Sequence, residues 1–376
     1  MTQSKSVKTN IVGGVCILLP NLNAGGAERV TLTLAQEFVK QGIQLDLVLG
    51  TATGDLLADV PDGVRIVDLG TPRLRGMLGA FVRYLRARRP TAVLAVMQEM
   101  NCIAVVARKL SGIDCRLVLS EHTHASAHIK ALPNRRGRWF MGSAIRYCYP
   151  RSDMIVAVSD GVANDLRQNI GLQALSEVIH NPVDVDALTA KAALSIDHPW
   201  LSGAQEMPVL ISVGNFKLAK DFSTLIKAFA LLHGQRHLRL IILGDGAERL
   251  QLEKLARNLG VEDDITFPGF VLNPWAWMAR ANLFVSSSRW EGFPMVLVEA
   301  LALGLPVVAT DCPSGPAEIL DSGKYGRLVR TGDPAALAEA ITWSLEQPGN
   351  RQLLIARARG FAPDKAAERY LAALCG

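Results

Sequence analysis

The sequence predicts an α/β protein built as two domains, each a doubly wound parallel sheet with helices on both faces. Three observations carry this expectation. At 376 residues the chain exceeds what one ordinary core organises, so two domains are expected. Hydrophobic residues make up 49% and charged residues 20%, the balance of a packed globular chain and not of a disordered one. Short apolar runs also alternate with helical patterns along the whole length, which is the punctuation of β-α-β units.

In the first half, buried strands are expected at Val15–Leu19, Leu45–Gly50, Ala92–Met97, Arg116–Ser120 and Asp153–Val158. Helices fall between and after them at Ala27–Gln41, Leu74–Arg89, Cys102–Leu110, Trp139–Tyr149 and Asp160–Asn169. The rhythm breaks around 185–207, where His198-Pro199, Gly203 and Pro208 crowd together. It restarts with strands at Val209–Gly214, Arg239–Leu243, Ile265–Phe267, Leu283–Ser286 and Val307–Thr310. The matching helices are Phe222–His233, Ala247–Leu259, Met295–Leu303 and Pro334–Glu346. The expected division is therefore a Rossmann-like domain over 1–190 and a second over 191–360. A final stretch, 361–376, holds a helix at Asp364–Leu374 behind Pro363 and is expected to fold back on the first domain. In such sheets ligands sit at the carboxyl ends of the strands.

Charge is distributed unevenly. Residues 73–151 carry 15 Lys and Arg against three acids (Glu99, Asp114, Glu121), an excess of +12, whereas residues 191–376 carry 19 of each sign. The first half therefore expects an anionic partner: nucleic acid, phosphorylated substrate or an acidic membrane. Within it, Asn134-Arg-Arg-Gly-Arg-Trp-Phe-Met141 interleaves Arg135, Arg136 and Arg138 with Trp139 and Phe140. Cations beside aromatics suit an anionic membrane surface; the plainer alternative is a solvated basic face. Nucleic acid is disfavoured, because no recognition motif accompanies the charge. Six cysteines without a C-x-x-C spacing read as reduced thiols of a cytoplasmic protein. Lys5 and Lys8 before the apolar run Ile11–Pro20 resemble a signal peptide, but that run leads straight into a Gly-Gly helix start, as a first strand does. No uninterrupted apolar stretch reaches the roughly 18 residues needed to span a bilayer.

Several loops hold candidate chemistry. Gly25 and Gly26 open the first helix, where a phosphate can approach free amides; a plain strand-to-helix turn fits equally well. Glu121-His-Thr-His124 follows a strand. Substrate contact or acid–base work is favoured there over metal, since His122 and His124 lack a third ligand nearby, and His128 is expected at the surface. Asp184-Val-Asp186 resembles a metal-binding D-x-D, but turn and cap roles are favoured. In Gly214-Asn-Phe-Lys-Leu-Ala-Lys220, Lys217 and Lys220 lie where a cation meets a diphosphate. In Arg289-Trp-Glu-Gly-Phe-Pro-Met-Val-Leu-Val-Glu-Ala300, Pro294 suits a helix's first turn. The amides of Gly292, Phe293 and Met295 then face a ligand's oxygens. Glu291 can accept hydrogen bonds from a sugar. Glu299 sits in an apolar face, where a carboxylate is tolerable if it accepts two hydroxyls such as a ribose offers.

The spacing of Glu291 and Glu299 around Gly-Phe-Pro resembles the E-x7-E motif of retaining, nucleotide-sugar-dependent GT-B glycosyltransferases of family 4. The likeness runs along nearly the whole chain. AGGAERV resembles the family's glycine loop, HNPVD the opening of its linker, and VGNFKLAKDF its donor-phosphate loop. SSRWEGFPMVLVEALALGLPVVATDCPSG follows the family pattern from end to end. The resemblance implies a GT-B fold, with two Rossmann-like domains facing a cleft. It implies that Lys220 binds the donor diphosphate, that Glu291 contacts the donor sugar and Glu299 the ribose, and that Gly25 and Gly26 lie near the phosphates. His122 matches the histidine beside the sugar. The family often has Arg where this chain has Asn215, so the second cation on the diphosphate is open, and Lys217 is the candidate replacement. The Asp311-Cys-Pro-Ser-Gly315 loop resembles members that build bacterial surface polysaccharides on polyprenyl-diphosphate lipids from UDP-sugars. The implied activity is retaining hexosyl transfer without a metal or other cofactor, to a glycan or lipid-linked acceptor, at the inner face of the plasma membrane. Two alternatives remain: a non-catalytic nucleotide-sugar-binding partner subunit, and a sugar-nucleotide 2-epimerase.

Overall fold

The computed structural model describes residues 14–173, 176–202 and 207–376. Lys5, Lys8 and Ile11 of the N-terminal run and Gly203 of the linker lie outside the described residues. The chain forms two compact units. The first runs to Val158, resumes over Val162–Pro182 and closes with Pro363–Gly376; the second is Ser159–Gly161 with Val183–Ala362.

The strands of the first unit are β1 (Val15–Leu19), β2 (Leu45–Leu49), β3 (Val64–Asp68), β4 (Ala92–Val96), β5 (Arg116–Glu121), β6 (Met154–Ala157) and β7 (Ser176–Val178). They form one parallel sheet in the order β3-β2-β1-β4-β5-β6-β7. The helices up to the second sheet are α1 (Gly26–Lys40), α2 (Leu74–Arg88), α3 (Gln98–Ser111), α4 (Ala125–Ala131), α5 (Arg135–Cys148), α6 (Asp160–Asp165) and α7 (Val185–Ala192). The central strands are continuous apolar runs because both faces are covered; β1 and β4 are buried at every position. The one charged residue inside β2, Asp46, is held by Arg65, by Arg88 at 3.6 Å and by the Tyr84 hydroxyl at 2.8 Å. The edge strands β3 and β7 escape the sequence reading: β3 is half exposed and alternates too loosely to look like a strand, and β7 is three residues long.

The second unit repeats the plan with β8 (Val209–Val213), β9 (Arg239–Leu243), β10 (Ile265–Gly269), β11 (Leu283–Ser286), β12 (Val307–Thr310) and β13 (Arg327–Val329), in the order β10-β9-β8-β11-β12-β13. Its helices are α8 (Phe222–His233), α9 (Arg249–Asn258), α10 (Pro274–Met278), α11 (Met295–Ala302), α12 (Pro316–Ile319), α13 (Pro334–Glu346) and α14 (Arg351–Arg359). A fifteenth helix, α15 (Pro363–Cys375), belongs to the first unit. There the Tyr370 ring is fully buried, Arg369 pairs with Glu177 and Arg116 donates to the Ala373 carbonyl.

The division falls at Val183 and not near residue 190. The physical reason is α7, which packs on α10, α11 and α14. The Lys191 carbonyl at its end accepts from Asn273 at 2.8 Å, and the Val183 amide donates to the Phe361 carbonyl at 2.8 Å.

In both sheets the first strand lies between the second and the fourth. Successive connections then leave opposite faces, and a crevice opens at the carboxyl ends of these two strands. In the second unit the crevice is shaped by close backbone approach. A Cβ on Gly244 (φ +131°) would lie 2.0 Å from the Gly214 carbonyl oxygen. Gly244→Ala should therefore lower the stability of the second unit by about 2–3 kcal/mol, through strain at a positive φ and displacement of the loop after β8. Urea unfolding measures it, and an unchanged midpoint refutes this account of the contact.

Candidate functional site

The second unit brings two loops together at its crevice. The loop after β8 turns tightly, with the Lys220 amide on the Lys217 carbonyl at 2.9 Å. Asn215 and Lys217 point outward and are exposed, while Phe216 anchors the turn in the core against Phe222 and Phe267. The Lys220 stem lies over Gly214, where a Cβ would sit 3.2 Å from its Cε. Its ammonium reaches the loop after β11 and meets Glu291 Oε1 at 2.6 Å, with both side chains mostly buried (18% and 13% exposed). The same oxygen accepts from the Ser288 hydroxyl at 2.6 Å.

Residues that the sequence reading passed over hold these loops in register. Arg289 grips Asp221 with two contacts, Nε to Oδ2 at 2.9 Å and a terminal nitrogen to Oδ1 at 3.2 Å. The Arg289 amide donates to the Ala219 carbonyl at 2.7 Å, and the Ser287 hydroxyl to the Lys220 carbonyl at 2.9 Å. Asp221 adopts φ +44° and also accepts from Ser223 and Thr224. Burial pushes its carboxyl up, but the hydrogen bonds from Arg289, Ser223 and Thr224 together outweigh this and hold it below the ordinary range. The polar run Ser286-Ser-Ser-Arg289 behind a buried strand was the available signal for this clamp.

The segment after Glu291 enters α11. Met295 begins the helix, as expected, and Pro294 is the residue just before it. An amide at a helix start has no carbonyl one turn back, so Met295 presents a donor, with Gly292 on the loop just before. The Phe293 side chain is buried edge-to-face against Phe361 at 5.4 Å, so it packs in the core instead of facing a ligand. Glu299 is buried (7% exposed) on α11 among Leu297, Val298, Ala300 and Leu301.

In the first unit the loops after β1, β4 and β5 share the other crevice. Gly25 caps α1 and Gly26 is its first residue. The Glu28 carboxylate folds back on Gly25, 2.2 Å from where a Cβ would be, so the protein sets its own anion against this helix start; the space beside Gly26 is open. Met97, at the end of β4, adopts φ +80°, a strained region for a side-chain-bearing residue. Gln98 follows, buried, with Oε1 3.0 Å from His128 Nδ1. His128 is thus half-buried and partnered, not a surface residue, because the buried Gln98 side chain at the start of α3 meets its ring.

His122, after β5, is half-buried, with Nε2 2.9 Å from the Ser120 hydroxyl. Burial pushes its pKa down to about 4, so the ring is neutral at physiological pH. His124 turns to Asp165 at 3.3 Å, away from any pairing with His122. Asp184 caps α7 through the Ala187 amide at 2.9 Å, the cap role expected, and Asp186, in that helix's first turn, pairs with Arg359 at 3.0 Å. Glu121 is wholly buried, accepting from the Tyr149 hydroxyl and from the Thr123 amide at 3.0 Å.

Two repeats of one open parallel sheet, each with polar loops at its switch point, define a two-domain, doubly wound α/β architecture. A family model described as Glycosyltransferase Family 4 matches residues 24–187, and one described as Glycosyl transferases group 1 matches residues 200–361. The chain belongs to the GT-B glycosyltransferases. A Campylobacter jejuni relative, N-acetylgalactosamine-N,N'-diacetylbacillosaminyl-diphospho-undecaprenol 4-alpha-N-acetylgalactosaminyltransferase, is 28% identical over 96% of this chain and 99% of its own. The lipopolysaccharide 1,6-galactosyltransferase of Escherichia coli K12 is 25% identical over 84% of each. Among solved structures, Anabaena Alr3699/HepE in complex with UDP and glucose superposes with a TM-score of 0.79 at 19% identity, over 96% of this chain and 99% of that one.

Burial pushes the Glu121 carboxyl up to about 8 from 4.5, against the opposing pull of its bonds to Tyr149 and Thr123. A folded pKa raised above the unfolded one gives stability that is full below about pH 4.5 and is lost as pH rises through about 8. Glu121→Gln, which keeps the shape and cannot ionise, should therefore gain on the wild type across that window, by up to about 1.4 kcal/mol per pH unit, and hold a constant difference above it. Calorimetric melts from pH 4 to 9 test this; a difference that ignores pH removes Glu121 as the titrating group.

Proposed function

We propose that this chain is a retaining, metal-independent hexosyltransferase. In this reading it moves a sugar from a UDP-sugar to a glycan acceptor carried on a polyprenyl diphosphate, in surface polysaccharide assembly. The observation that carries the reading is the Lys220–Glu291 contact at the switch point of the second sheet. A donor diphosphate draws Lys220 from Glu291, since its oxygens offer the ammonium more negative charge. Glu291 is then released to accept from the sugar hydroxyls. Buried Glu299 takes the ribose hydroxyls, and the amides at the start of α11 meet phosphate oxygens. The anomeric carbon's bond to the diphosphate breaks while the acceptor oxygen bonds to that carbon on the same face. The acceptor's proton passes to the leaving diphosphate oxygen, so no dedicated base is required. The names of the Campylobacter and Escherichia relatives, a diphospho-undecaprenol glycan and a lipopolysaccharide, support the acceptor class, and the UDP bound in Anabaena HepE supports the donor.

The same reading places the protein on the cytoplasmic leaflet. Among the described residues no helix is long and apolar enough to cross a membrane. Helix α5 begins earlier than expected, at Arg135, and so carries the basic and aromatic residues on one element. Trp139 and Phe140 stand 73% and 67% exposed beside exposed Arg135 and Arg136, while Gly142, Ile145 and Cys148 face inward. Large aromatics left in water next to guanidinium groups suit the headgroup layer of an anionic membrane surface.

A panel of nucleotide sugars offered with lipid-linked acceptors should yield one transferred product and be indifferent to chelators. Lys220→Ala should lower its turnover at least about tenfold, and Glu299→Ala should weaken UDP binding by about 1–3 kcal/mol. An epimerised nucleotide sugar or binding without turnover selects the 2-epimerase or the partner subunit instead, and restoration of a chelated enzyme by a divalent ion overturns the metal-free step. In flotation, binding to vesicles should rise with anionic lipid and fall with salt, each basic residue at the surface contributing about 1 kcal/mol. Changing Arg135, Arg136 and Arg138 to Glu should release the protein with UDP binding intact; wild type that ignores anionic vesicles at low salt points to a soluble acceptor.

A further inference from the structure

We infer that Tyr370, on the carboxyl-terminal helix, positions His122 through Ser120, so that the imidazole meets substrate as an N–H donor at Nδ1 and not as a proton acceptor. This rests on the reading that His122 touches the sugar. Three side chains form one line: Tyr370 Oη is 2.9 Å from Ser120 Oγ, and Ser120 Oγ is 2.9 Å from His122 Nε2. Tyr370 and Ser120 are buried, at 0% and 1% exposure. The distances alone leave the donor direction open, and a count of protons closes it.

The phenol has one proton and, among the described residues, one hydrogen-bond partner, Ser120. Suppose His122 Nε2 carried the proton and donated to Ser120. Ser120 would then donate its only proton to Tyr370, and the phenol proton would be stranded in a dry site. The reverse order, Tyr370 to Ser120 to Nε2, places both hydroxyl protons, whereas Ser120 accepting from both neighbours would leave its own proton unplaced. The structure therefore favours the order in which Nε2 accepts and the ring proton sits on Nδ1, a nitrogen with no hydrogen-bond partner among the described residues. Burial supports this by keeping both ends neutral: it lowers the imidazole to about 4 and pushes the phenol up to about 12. A neutral N–H donor can hold a sugar oxygen but cannot take a proton from the acceptor. That agrees with a transfer in which the leaving diphosphate takes it. It also gives the return of the last helix to the first unit a chemical purpose beyond packing.

The test reads the tautomer directly on the full chain labelled with 15N-histidine, with His122 assigned by the signals lost in His122→Gln. The wild type should show the Nδ1–H pattern. Tyr370→Phe keeps the ring and removes only the proton, so the bias should relax toward the Nε2–H form. Transfer from the UDP-sugar that the wild type turns over should fall about tenfold in kcat, equivalent to ~1.4 kcal/mol, with UDP affinity unchanged. Ser120→Ala breaks the same line, and the double variant should be no slower than Ser120→Ala alone. An Nε2–H wild type, a tautomer indifferent to Tyr370→Phe, or additive losses in the double variant overturn the proposal. Undiminished transfer by His122→Ala instead removes the sugar contact, leaving the tautomer result to judge the hydrogen-bond line by itself.

Discussion

The structure depends on one topological constraint: in each unit the first strand is flanked by the second and the fourth. Right-handed crossovers then send successive helices to opposite faces, and the loops after the first and fourth strands are left to meet over an uncovered edge. Lys220 and Glu291 come from those two loops, 71 residues apart in sequence. In the first unit the same rule sets Gly25 and Gly26 on one side of the gap and strained Met97 on the other, with His122 one strand further. Chemistry gathers at these edges because they are where backbone amides and loop side chains are not consumed by the sheet.

The Lys220–Glu291 pair contributes little to stability, for the attraction of two mostly buried charges is largely offset by their lost hydration. Its importance lies in what holds it. Asp221, wholly enclosed and gripped by Arg289, fixes the end of one loop against the other, and the Ser287 and Ser288 hydroxyls complete the join. In the proposed reaction, an ammonium kept at a defined place, with a carboxylate that can give it up, serves as a preorganised receptor for the donor diphosphate. The first unit works in the opposite sense: Glu121 and His122 are both driven toward neutrality by burial. The proposed reaction thus concentrates charge on the donor side and hydrogen-bond geometry on the acceptor side.

The charge distribution follows the same split. The excess of +12 over residues 73–151, against balanced signs over 191–376, is a property of the first half alone. The structure adds that part of this excess is committed. Arg108 pairs with Asp153 and caps the Arg151 carbonyl, and Arg86 donates to the Leu110 carbonyl. Arg135 and Arg136 on α5 stand exposed beside uncovered aromatics, which is why the proposed membrane contact rests on that helix and not on net charge.

Local pattern determined much about this protein by itself. Apolar runs announced β1, β2, β4 to β6 and β8 to β12, most of them covered on both faces, where a strand can carry little else. The spacing of Glu291 and Glu299 on one strand-loop-helix unit was legible, as was Lys220 at a strand's end, because each depends on neighbours close in sequence. The tertiary structure alone decided the rest. It brought Arg289 to Asp221, Tyr370 to Ser120 and Glu28 over Gly25; it gave α7 to the second unit; and it left β3, β7 and β13 as strands without a strand's pattern. The physical reason is common to all of them. An edge strand borrows its order from the neighbour it hydrogen-bonds to. A buried polar side chain likewise finds its partner through burial and proton count, which no window of adjacent residues contains.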